Sequence, residues 1–202
     1  FMVSIAATFQ IYSGINRIYF DYDDEKRKMY FSTLFYTISV IASFIFIFFI
    51  YAGDAFIDIL YSKSNIGFWP YFFVSIIAIF FRLPVGVTTA FFKVQERGRE
   101  LLIISTVATI ITTGLILYLV VIKGMGVMGS LVGSAIGGFI TYILHVLNFR
   151  FYFVLKFDRS MLIENLKYGI PVIPHALGGY LFMYSDIIIL EKFVLVSMIG
   201  IY

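Results

Sequence analysis

The sequence contains no cysteine. It therefore cannot form a disulfide or a thiolate metal site, and it has no thiol nucleophile. Charge is also scarce. Asp, Glu, Lys and Arg make up 13% of the 202 residues, about half the share of a soluble domain. Hydrophobic residues make up 61%. So little polar surface cannot cover such a core in water, so the expected solvent is mostly lipid. There are two histidines, and neither forms a Ser/His/Asp set or a metal-ligand spacing with other residues. Catalytic residues, metal and cofactor are expected to be absent, and no connection is long enough for a soluble catalytic domain, so the chain reads as a non-enzyme. Its net charge is +3. Its aromatics do not lie on a basic face, so nucleic acid is not an expected partner. The start has no basic n-region or cleavage site of a signal peptide.

What is present is a series of long apolar runs. A bilayer core of about 30 Å needs about 20 apolar helical residues. Residues 29–53, 101–122 and 124–149 are charge-free runs of that size, and 64–92 is broken only by Arg82. Residues 1–16 read as the inner part of a first span. Residues 168–190 form a sixth, interrupted by Pro171, Pro174 and Asp186, and a further span is expected to begin near Val196. These runs are too long for strands, do not alternate as barrel strands do, and are apolar on all sides. The expected fold is all-α, a polytopic transmembrane helix bundle.

Lys and Arg in the six connections number 4, 1, 3, 1, 4 and 1. Cytoplasmic loops carry the excess of basic residues, so connections one, three and five are expected to face the cytoplasm. The first of them, Asp21-Tyr22-Asp23-Asp24-Glu25-Lys26-Arg27-Lys28, reads as a loop leading into a helix. The longest, 150–167, carries mixed charge. Both ends of the chain fall in apolar runs, so it reads as a fragment of a longer protein with an odd number of spans before Phe1.

Arg82 is the most informative residue. At 1.5 Å per residue it lies about 16 Å from the cytoplasmic connection and about 22 Å from the outer one. An arginine at that depth costs at least about 2.5 kcal/mol against lipid. It is therefore expected to face a cavity and bind an anion, the alternative being capture by backbone carbonyls or snorkelling. Pro84 can kink the same helix. Pro171 and Pro174 each remove a donor and are expected to break the sixth span, making a hinge. His175 is a candidate for phosphate contact or proton transfer, or else a neutral histidine on a freed carbonyl. His145 reads as a polar anchor at a span end. Asp186 is a gate candidate or a wetted structural acid. Gly129, Gly133 and Gly137 recur every four residues and make a smooth face for helix packing. Gly124, Gly126 and Gly129 match a dinucleotide-binding spacing, but no strand precedes them and no ribose-binding acid follows.

These segments resemble a known family. Ser13-Gly14-Ile15-Asn16-Arg17-Ile18-Tyr19-Phe20 with its acidic continuation resembles the end of the second span of bacterial polysaccharide-biosynthesis flippases. Phe31-Ser32-Thr33-Leu34 is similar to the opening of their third span, and Phe91-Phe92-Lys93-Val94-Gln95-Glu96-Arg97 to the loop after their fourth. Gly124 to Gly129 resembles the turn before their sixth. Leu166-Lys167-Tyr168-Gly169-Ile170-Pro171-Val172-Ile173-Pro174-His175, continuing through Ser185-Asp186 to Gly200-Ile201-Tyr202, is the most specific match. The superfamily is that of multidrug, oligosaccharidyl-lipid and polysaccharide flippases, built of two six-helix lobes. The resemblance implies a partial N-terminal lobe at 1–167, holding spans two to six, and the start of the C-terminal lobe at 168–202. It implies flipping of undecaprenyl-diphosphate-linked oligosaccharide across the inner membrane for O-antigen or capsule synthesis. The implied partners are that lipid-linked oligosaccharide, the bilayer and other polysaccharide-assembly proteins. The alternatives are a drug/cation antiporter of the same superfamily, which favours deep acids, and a membrane polymerase or ligase, which needs a large external loop.

Overall fold

The computed structural model describes residues 8–60 and 68–190, with side chains described outside 56–60, 180, 181 and 183–190. Six α-helices and no strand occur among the described residues. They are α1 (Ile11–Ile18), α2 (Asp24–Leu60), α3 (Tyr71–Val94), α4 (Gly98–Leu117), α5 (Gly126–Asn148) and α6 (Arg159–Leu190). One π-helical turn, Tyr118–Ile122, extends α4. Four described helices are long and apolar enough to cross a membrane: α2, α3, α4 with its extension, and α5. Most of the first expected span's outer part lies outside the described residues, as does the span expected near Val196. The sixth span is helical throughout.

The helix starts differ from the sequence expectation. Residues 24–28, expected in a loop, form the first turn of α2. Asp23 caps that turn, accepting from the Lys26 amide at 3.0 Å, and acids here oppose the positive N-terminal dipole end. α6 begins at Arg159 rather than near Tyr168. Asp158 caps it, with Oδ1 accepting from the Ser160 amide at 2.8 Å and the Met161 amide at 3.3 Å. The lobe boundary expected at Lys167 thus falls inside one helix.

Pro171 and Pro174 do not break α6, which is continuous through both. A proline's fixed φ is compatible with a helix, and it removes only its own donor. Neighbouring turns on both sides carry the ladder across the gap. Pro84 likewise lies inside α3.

α3 is the hub, packed against α1, α2, α4 and α5. The core sits at the end where connections one, three and five meet. Phe31, Phe91, Phe92 and Phe149 are fully buried there. Phe31 stacks on Phe149 at 4.9 Å, and Phe92 meets Phe149 edge-on at 4.7 Å. Such pairs contribute about 0.5–1.5 kcal/mol each beyond burial. Ser32 accepts from the Val154 amide at 2.8 Å and donates to the Tyr152 carbonyl at 3.1 Å. The Asp158 amide donates to Thr33 Oγ1 at 3.1 Å. The fifth connection is therefore tied onto α2, and the basic connections share one end of the molecule.

α4 is the opposite case. Only Ile104 and Ala108 of it are buried, while Leu102, Ile110, Val121 and Ile122 are exposed. An exposed apolar face of this extent suits hydrocarbon rather than water. Hydroxyls in the spans satisfy themselves locally: Thr37, Ser39 and Ser43 each donate to the carbonyl four residues back, as lipid requires.

Candidate functional site

α3 places Arg82 near its middle, eleven residues after Tyr71 and twelve before Val94. The helix starts later than the apolar run suggests, so Arg82 is about 16 Å from one helix end and about 18 Å from the other. No carboxylate pairs with it among the described residues.

Two concavities meet at this side chain. The first, about 490 Å³, lies between α3, α4 and α5. Arg82 and His145 line it, together with seven hydroxyl residues: Thr89, Ser105, Thr109, Thr112, Thr113, Ser134 and Thr141. Thr141 donates to the Gly137 carbonyl at 2.8 Å, and Ser105 donates to the Leu101 carbonyl. Their protons are used, so their oxygens remain as acceptors for a ligand. The second concavity, about 380 Å³, lies between α1 and α3. Its polar residues are Tyr12, Ser13, Asn16, Arg82, Thr89 and Lys93. Among the described residues, no Asp or Glu lines either. A site with fixed cations, many hydroxyls and no acid attracts anions and exchanges hydrogen bonds with polyols.

Local sequence shapes these walls. A Cβ on Gly133 would come within 3.1 Å of the Ile116 backbone, and one on Gly129 within 2.9 Å of the Leu119 carbonyl carbon. Gly137 faces Thr112 in the same way. The glycine stripe of α5 thus lets α4 approach closely and brings its threonines beside Ser134 and Thr141. Thr88 Oγ1 donates to the Val85 carbonyl at 2.8 Å and lies 2.7 Å from His145 Nδ1. His145 is buried in the last turn of α5, at the span end as expected, and also forms part of the cavity wall.

His175 is exposed on α6 and lines neither concavity. Pro171 and Pro174 lie on the same helix and are not among the residues lining either concavity. The Asp186 side chain lies outside the described residues. The sequence reading missed Lys93, seen only as a loop cation, and the threonine face of α4. Ser105, Thr109, Thr112 and Thr113 recur at spacings of three and four in an apolar helix, which was the available signal.

The fold and this site define a polytopic helical membrane protein whose concavities, among the described residues, are lined by cations and hydroxyls and by no acid. The sequence pattern of the family described as "Polysaccharide biosynthesis protein" matches residues 1–202, and the chain belongs to that family. Comparison with curated proteins and with solved structures finds no match. The chain is therefore a membrane protein of surface polysaccharide synthesis.

Proposed function

We propose that the protein flips lipid-diphosphate-linked oligosaccharide units from the cytoplasmic to the outer leaflet of the inner membrane. It acts as a transporter rather than an enzyme, with its basic end in the cytoplasm. The observation that carries this reading is Arg82, unpaired at mid-span among the described residues and shared by two acid-free concavities. A glycan cannot cross hydrocarbon without losing its hydrogen bonds to water. The seven hydroxyl residues beside Arg82 replace some of those bonds, while the cation attracts the diphosphate and the lipid tail stays in the bilayer. The absence of acid among the described residues of both linings favours an anionic substrate over the cation of an antiporter.

The test is complementation of a deletion strain at native expression. Deletion should abolish the surface polymer and accumulate its lipid-linked unit. Arg82→Ala should reach the membrane at the normal level and lower polymer output by about tenfold, the loss of one charge-assisted contact. Normal polymer in the deletion strain would refute the flippase reading. Normal polymer with Arg82→Ala would remove Arg82 from it.

A further inference from the structure

We propose that the groove between α1 and α3 is the path by which the substrate's diphosphate head group reaches Arg82, with Lys93 as its first contact at the basic end. This rests on the flippase reading and adds to it a binding residue, a direction and an entry face.

The placement follows from α3. Arg82, Val85, Gly86, Thr89, Ala90 and Lys93 line one continuous groove. They recur at spacings of three and four, which is one face of a helix. Arg82 and Lys93 lie eleven residues apart, so the groove descends about 16 Å from the last turn of α3 to mid-span.

Four cations of the basic end are paired with acids close by in the chain. Arg17 pairs with Asp21 at 3.0 Å, Arg27 with Asp24 at 2.8 Å and Lys26 with Asp23 at 3.9 Å. Arg97 pairs with Glu100. Arg82 and Lys93 have no such partner among the described residues, and they share one groove. An anion entering this groove therefore meets two uncompensated cations in series, along a wall that holds no acid among the described residues.

The groove is built, not incidental. Tyr12 donates its hydroxyl to the Leu83 carbonyl at 2.7 Å, and its ring lies where a Cβ on Gly86 would stand. These two contacts hold α1 against α3 beside Arg82. Asn16 and Ser13 add hydrogen-bonding groups between the two cations on the α1 side. The pyrophosphate of a lipid carrier carries the charge that the cations match, and the groove runs from the membrane surface, where such a head group resides.

The test is equilibrium binding of a polyprenyl diphosphate to the full-length protein in phosphatidylcholine nanodiscs. Lys93→Gln should weaken binding by about tenfold, while Lys93→Arg stays within about threefold of wild type. Asn16→Asp keeps both cations, adds a carboxylate to the groove, and should also weaken binding. Both residues are exposed, so thermal midpoints should not move. Wild-type affinity in Lys93→Gln and Asn16→Asp would overturn the path while leaving the flippase reading to the deletion strain. Inorganic pyrophosphate or phosphatidylglycerol competing as well as the polyprenyl diphosphate would make the groove a general anion site and overturn the head-group assignment. No measurable binding of the polyprenyl diphosphate to the wild-type protein would overturn the path as well.

Discussion

Single charged residues carry the most information in a chain this poor in charge. Arg82 would cost at least about 2.5 kcal/mol against lipid, and the fold avoids that cost by surrounding it with hydroxyls and open space. Asp158 shows the same economy outside the spans. Its carboxylate accepts from the Ser160 hydroxyl at 2.6 Å as well as from two amides. The Ser160 hydroxyl first, then the Ser160 and Met161 amides, hold its pKa below the ordinary carboxylate value. A depressed carboxyl stabilises the folded state above its unfolded pKa and loses that effect as pH falls through the lowered value. Exchange protection of the Ser160 and Met161 amides should therefore be full at neutral pH and fall in acid. Asp158→Ala should lower it at neutral pH and remove the acid dependence. Equal protection of wild type and variant at neutral pH would exclude the cap.

At the scale of elements, close approach and helix continuity decide the architecture. Gly133→Ala and Gly114→Ala are the same change with opposite expected signs. At Gly133 the added Cβ meets the Ile116 backbone at 3.1 Å, and overpacking of this kind costs about 1–3 kcal/mol. At Gly114 nothing lies within 4 Å, so alanine should stabilise α4 by about 0.5–1 kcal/mol. Thermal midpoints of the two variants in detergent should move in opposite directions. In α6, Pro171 and Pro174 leave the Lys167 and Ile170 carbonyls without their usual helical donors. Replacing both prolines with alanine restores two ladder bonds. The variant is expected to accumulate normally and to export less polymer, because the helix bends less readily. Undiminished export would assign these prolines no hinge role.

At the scale of the molecule, the basic connections and the aromatic core share one end. Positive charge retained in the cytoplasm during insertion then fixes which leaflet that end meets. These 202 residues hold no cysteine, so single-cysteine labelling in an otherwise cysteine-free chain tests this. Lys123→Cys should react with a membrane-impermeant maleimide in intact spheroplasts, and Lys156→Cys only after permeabilisation. The reverse pattern would invert the orientation and with it the proposed direction of entry at Lys93.

Much of this was legible in the sequence because lipid imposes strong rules. Run length set the α2 to α5 spans, loop charge grouped the connections, and the depth of Arg82 marked it as a cavity-lining residue. The α6 start was less legible, because residues 159–167 carry the charges of a loop while Asp158 caps them as a helix. The site was legible only at its centre. Lys93 read as one loop cation among several, and the threonines of α4 read as ordinary span hydroxyls. Periodicity shows which residues share a helix face but not which helix that face meets. Only the packing of α1 on α3 at Gly86, and of α4 on α5 at Gly133 and Gly137, decided that Arg82 stands between two concavities with no acid among the described residues and that Lys93 belongs to one of them.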